Sequence, residues 1–238
     1  VPHLAVGAKH GNACGAAIGE THAETLKKTI AGDPLAIFGG LILTNFPIGA
    51  EEAEEISGRM LDGIIAPSFT EEAIAKLRRK GDRCRFIVNP ALAAFSENTL
   101  DVAPRFRYVR GGFLQQPNYT FILDLSSSDL AKYGNATPTQ EDDLLLAWAV
   151  GATSNSNTIS LVKDGMLIGN GVGQQDRVGA AKLALMRAER SKHDPKGAAA
   201  YSDSFFPFPD GPETLIDAGI GAILSTSGSL KDPATIEL

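Results

Sequence analysis

The sequence predicts an α/β fold built on a largely parallel or mixed sheet. Three observations predict it. Short unbroken apolar runs, such as Leu41-Ile42-Leu43 and Ile64-Ile65-Ala66, suit strands covered on both faces. Segments of helical character stand between those runs, in the order strand, helix, strand, helix, strand up to Val88. The segment from Thr70 carries Glu71 and Glu72 at its start and Lys76, Arg78, Arg79 and Lys80 towards its end, the charge order that a helix dipole favours.

In chain order, residues 6–9 read as a buried strand running into the loop His10-Gly11-Asn12-Ala13-Cys14-Gly15. A helix over residues 20–31 follows and is broken by Gly32-Asp33-Pro34. Residues 35–38 and 41–43 read as apolar strand segments on either side of Gly39-Gly40. An acidic-start helix covers 51–61, Asp62-Gly63 ends it, and 64–66 is the next strand. Thr70 caps another helix, Gly81 closes it, and 85–88 is a strand. Residues 126–139 are polar and irregular and read as a linker or surface excursion. Thr139 with Asp142 three residues on predicts the cap of a helix over 141–151. Residues 158–162 and 166–168 flank an Asp164-Gly165 turn and predict a hairpin. Residues 176–190 form a helix, and 220–224 a last strand. A faint echo links the segment after Asp62 to the segment after Ala218, which suggests two related halves.

Of the 238 residues, 43% are hydrophobic and 21% charged, as in an ordinary globule able to hide roughly 70% of its unfolded surface. The net charge of −6 argues against a general nucleic-acid or acidic-membrane binder. No apolar run reaches transmembrane length and no signal segment is readable, so the expected location is cytoplasmic. Cys14 and Cys84 are too few for a disulfide framework. The chain opens at Val1 without Met, which reads as a processed or trimmed product.

Lys9-His10, at a strand end before a glycine-bearing loop, pairs a group that titrates near neutral pH with a cation able to steady an anion. Neighbours on a strand diverge, so both reach one ligand only if the chain turns between them; otherwise they are an exposed loop pair. Asn155-Ser156-Asn157 offers amides that could orient a carbonyl or form an ordinary turn. Gly169-Asn170-Gly171-Val172-Gly173 leads into Arg177 at a helix start, a place that suits an anion; it matches neither the dinucleotide fingerprint nor a P-loop. Ser202-Asp203-Ser204-Phe205-Phe206-Pro207-Phe208-Pro209-Asp210 reads either as a stiff aromatic wall for a flat ligand or as a buried connection. His22-Ala23-Glu24 has the H-x-E form of a zinc deaminase without the cysteine partner, so no metal site is expected.

Together these stretches resemble one family, the AICAR transformylases. The matching segments are the Lys9–Gly15 loop, Asp33 to Gly40, Asp62 to Pro67, Arg110-Gly111-Gly112-Phe113-Leu114, Ser156-Asn157, Gly169 to Arg177, Ser202 to Asp210 and Ser227-Gly228-Ser229. They run in family order across nearly the whole chain. The resemblance implies an α/β architecture of two tandem cytidine-deaminase-like subdomains with mixed sheets and no zinc, divided as 1–125, a linker at 126–140, and 141–238. It implies transfer of a formyl group from 10-formyltetrahydrofolate, as cosubstrate, to the 5-amino group of AICAR, in a homodimer with active sites at the subunit interface. By the same resemblance His10 is the base, Lys9 stabilises the transition state and Asn157 orients the reactants. AICAR contacts fall on Gly39, Asp62, Arg177 and Phe205, and folate contacts on Val178, Asp210, Ser229 and Leu230. Ala13 stands where the family usually has Pro. The family's segment upstream of the Lys-His loop, a C-terminal Arg-bearing stretch and the cyclohydrolase domain are not in the sequence. The other readings are a non-catalytic ligand-binding or assembly module, and a related one-carbon or acyl transferase acting on another amine.

Overall fold

A hairpin opens the described residues, which are 2–238 of a computed structural model. Strands β1 (His3–Lys9) and β2 (Asn12–Gly19) pair antiparallel around His10-Gly11. Both turn residues have positive φ, 54° and 78°, the left-handed pair that a tight two-residue hairpin turn needs. Residues 10–15, expected as a loop, are thus a turn and the start of a strand. The strand was illegible because Ala, Gly and Cys carry little strand preference.

Helix α1 (His22–Gly32) follows, with Thr21 as N-cap, and strand β3 (Leu41–Thr44) runs antiparallel to β1. Residues 34–39 turn rather than extend, and Asp33 fixes them by accepting the Ala36 amide at 2.9 Å. Helix α2 (Ala50–Ile56), shorter than its expected span, leads to β4 (Gly63–Ala66); helix α3 (Glu71–Leu77), capped by Thr70, leads to β5 (Arg85–Val88). β3, β4 and β5 are parallel neighbours, as the alternating pattern predicts. Beyond them stands an unforeseen exposed hairpin, β6 (Arg105–Val109) and β7 (Gly112–Gln116), in a sheet of its own.

Residues 117–137 are irregular. Helix α4 (Pro138–Ala152) then begins earlier than expected. Its capping box is Thr137 with Gln140, not Thr139 with Asp142, because Pro138 takes the first helical position, where its missing N–H costs nothing. Strands β8 (Ile159–Lys163) and β9 (Met166–Gly171) form the expected Asp-Gly hairpin. Buried Asp143 on α4 holds that turn, accepting the amides of Asp164 and Gly165 at 2.9 and 2.7 Å. Helix α5 (Arg177–Arg190), capped by Asp176, strand β10 (Ala199–Ser202), helix α6 (Asp210–Asp217), strand β11 (Ala222–Leu224) and helix α7 (Asp232–Ile236) complete the chain.

Nine strands form one mixed sheet in the order β11-β10-β8-β9-β2-β1-β3-β4-β5. Helices cover both faces. Leu161 packs with α5 and its neighbour Val162 packs with α4, the opposite orientations that successive strand residues take. A third cluster, around Leu26, Ile42, Ile56 and Ile64, lies under α1, α2 and α3. Gly169 and Gly171 lie in β9 rather than in a loop, because α5 rests on them. A Cβ there would meet the Ala184 and Ala180 carbonyl oxygens at 2.3 and 2.1 Å.

Candidate functional site

The His10-Gly11 turn decides whether Lys9 and His10 can work together. Lys9 ends β1 and His10 begins the turn, so the chain reverses between the two side chains, and both line one cavity of about 410 Å³. Lys9 Nζ donates to the Phe38 carbonyl at 2.5 Å and lies 6.0 Å from the centre of the Phe38 ring. That bond holds the ammonium beside Gly39, which has φ 68° and whose amide donates to the Met60 carbonyl at 2.6 Å. Asp62 stands next to Gly39; a Cβ on Gly39 would lie 3.9 Å from Asp62 Oδ2. Arg79 Nη1 donates to Asp62 Oδ1 at 3.1 Å. Lys9, His10, Gly39 and Asp62 therefore gather at one end of the central strands.

The deeper wall of the cavity carries residues that the sequence did not single out. Asp33, 6% exposed, receives Arg187 Nη1 at 3.1 Å and lies 3.9 Å from Arg190 Nη2. The i, i+3 spacing of Arg187 and Arg190 on α5 was the signal available. Cys14 also lines the cavity. Burial, with the Asp33 carboxylate adding to it, pushes its thiol up to about 11, so it stays protonated and non-nucleophilic at neutral pH.

A second cavity, of about 520 Å³, is lined by Asn157, Arg177, Val178, Phe205, Phe208 and Asp210 among others. The aromatic stretch divides in two. Phe206 is core, 2% exposed, whereas Phe205 and Phe208 face the cavity. Arg177 at the start of α5 is mostly committed inside the protein. Its Nε donates to the Phe205 carbonyl at 2.7 Å, and its Nη1 donates to Asp203 Oδ1 at 2.6 Å and to Ser202 Oγ at 3.3 Å. Asp203 Oδ1 also accepts the Thr158 amide, which ties the aromatic loop to the start of β8. Asn157 Nδ2 donates to the Gln174 carbonyl at 2.9 Å. The loop at Gly228 lies beside Phe205, since a Cβ on Gly228 would stand 3.9 Å from Phe205 Cδ1. Ser229 follows, its amide donating to Asp232 Oδ2, and the Leu230 side chain is fully exposed.

Within one chain, then, the candidate residues form two groups on separate cavities. One hydrogen bond joins the loops that carry them: the Asn155 amide donates to Asn12 Oδ1 at 3.0 Å. Behind it, Asn170 Nδ2 donates to the Ala13 carbonyl at 2.9 Å, fixing the Lys-His hairpin to β9. The H-x-E segment has a packing role. His22 stacks on Phe46 with ring centres 4.2 Å apart and lies 2.7 Å from Glu52 Oε1, while Glu24 pairs with Lys28. Among the described residues no group of three or more His, Cys, Asp or Glu could hold a metal ion, and no helix is long and apolar enough to cross a membrane.

Comparison with known proteins agrees with this arrangement. Residues 2–187 match the family model described as the AICARFT/IMPCHase bienzyme. The chain is 38% identical to the bifunctional purine biosynthesis protein PurH of Anoxybacillus flavithermus, an alignment covering 100% of this chain and 45% of that protein. It is 36% identical to PurH of Polynucleobacter asymbioticus, over 96% of this chain and 42% of that protein. It is 37% identical to PurH of a Bacillus cereus strain, over 98% and 44%. The chain thus spans less than half the length of the curated relatives it matches. With its mixed α/β sheet and a family match that runs through the Lys-His hairpin and most of α5, the chain belongs to the AICARFT/IMPCHase bienzyme family.

Proposed function

We propose that the chain carries the formyl transfer from 10-formyltetrahydrofolate to the 5-amino group of AICAR, giving FAICAR, in purine biosynthesis. The observation that carries this reading is the turn at His10, which brings an imidazole and an ammonium to one cavity beside Gly39 and Asp62. The acceptor nitrogen is conjugated with its ring and carboxamide and is a poor nucleophile. His10 takes its proton as the nitrogen attacks the formyl carbon, forming the new C–N bond. Lys9 faces the oxyanion that develops on the formyl oxygen. The bond from that carbon to folate N10 then breaks, and the proton returns to N10. Phe205, Phe208 and Val178 give the second cavity apolar walls suited to a flat heterocycle, and Asp210 and Asn157 supply polar groups at its rim. Arg177 meets the substrate only through what its bonds to Asp203, Ser202 and Phe205 leave free. We place the two half-sites on one substrate across a homodimer, and read the halves 1–125 and 141–238, joined by 126–140, as the two deaminase-like subdomains.

The test is FAICAR formation from AICAR and 10-formyltetrahydrofolate by the purified chain, with His10→Ala alongside. Turnover that falls about 10²–10⁴-fold in the variant fits a general base; undiminished turnover removes His10 from that role. The separation of the half-sites within one chain favours a second reading, a binding module, and AICAR binding without any turnover selects it. Turnover confined to a different amine selects a related transferase.

A further inference from the structure

The hairpin β6–β7 is exposed on both faces at every residue. Its register puts Phe106, Tyr108 and Phe113 on one face, with the Phe106 and Phe113 rings edge-to-face at 5.2 Å. Arg105, Arg107 and Leu114 occupy the other face. An isolated two-stranded hairpin is marginal in water, and antiparallel sheets normally bury one face. Tyr108 is 86% exposed and Leu114 61%, so this chain covers neither face. The aromatic face is the kind of surface that interfaces bury, rich in Tyr, Phe and Arg.

We propose that this hairpin docks on a second copy of the same chain. Two observations select that occupant. The first is charge. The hairpin with its turn holds three arginines, Arg105, Arg107 and Arg110, and no acid; without them the chain holds 19 basic residues against 28 acidic ones. The hairpin therefore complements the rest of its own sequence, whereas the net charge of −6 disfavours a nucleic acid. The second is the divided site. Lys9 and His10 line one cavity and Arg177 and Phe205 another, so a transfer that uses both groups needs a second chain. This second point rests on the function proposed above. A two-fold dimer presents each hairpin to the other chain and buries both.

Analytical ultracentrifugation and amide hydrogen exchange of the unmodified chain test it, with Tyr108→Asp/Phe113→Asp as the variant. The expected result is a dimer in the tens of micromolar range, with amides 105–116 protected. In the variant those amides lose protection and the mass halves, while the amides of β8, β9 and α5 stay protected, which shows that the variant is folded. A monomer, a dimer indifferent to the variant, or hairpin protection gained only with a single-stranded oligonucleotide overturns the proposal. Formyl transfer is measured on the same samples. An active monomer sinks the interface and keeps the activity; a dimer with a protected hairpin and no transfer keeps the interface and sinks the activity.

Discussion

Arg177 is the residue whose energetics differ most from its sequence impression. A solvated arginine at a helix start would be free to clamp a phosphate. Here the side chains of Arg177 and Asp203 are 11% and 12% exposed and directly bonded. Arg177→Ala leaves a buried carboxylate unpaired and is expected to cost about 3 kcal/mol of stability, read as a lower midpoint in urea unfolding; an unchanged midpoint would contradict the pairing. His22 and Glu52 make a second residue-scale prediction. Burial raises the Glu52 carboxyl, but the hydrogen bond from His22 and those from the Glu52 and Gly49 amides outweigh it, and its folded value lies below the ordinary 4.5. A carboxyl lowered on folding contributes stability above its unfolded value and loses it as pH falls through the folded one. Glu52→Gln should therefore lower the melting temperature at pH 6 and have little effect well below pH 4; an equal loss at both would exclude the linkage.

At the scale of elements, packing against α5 explains what the glycines of β9 do. Gly169→Ala or Gly171→Ala drives a methyl into helix backbone. A cost of about 1–3 kcal/mol is expected from such overpacking. Circular dichroism melts check it, and a neutral effect would mean that α5 can shift. This contact also marks where the sequence stops being readable. The parallel strands β3, β4 and β5 and the cap at Thr70 were legible because apolar runs and dipole-ordered charges are local signals. The hairpin strand β2 and the strand end Gly169-Asn170-Gly171 were not, because their small residues answer to a helix lying on them rather than to strand preference. The Thr139 cap was misplaced by two residues, since Pro138 favours the earlier start. The exposed hairpin β6–β7 left no alternation with a buried face to read.

Over the whole molecule, the candidate site was legible as residues and only partly as geometry. Lys9 and His10 share a cavity, as their chemistry requires, and Asn157, Arg177, Val178, Phe205 and Asp210 share another. No local motif could have revealed that these are two cavities, because the division follows from the order of strands across a nine-stranded sheet. Nor could the sequence reveal that Asp33 is buried between Arg187 and Arg190, a contact that needs α1 and α5 side by side. The central claim is that one transfer site draws on both cavities, with the second cavity supplied by another copy. Mixing His10→Ala chains with Asn157→Ala chains tests it most directly. Each variant alone should lack formyl transfer, and the co-refolded mixture should regain about a quarter of wild-type activity, the share that random pairing leaves intact in a two-fold dimer. A mixture as inactive as its components would contradict the claim.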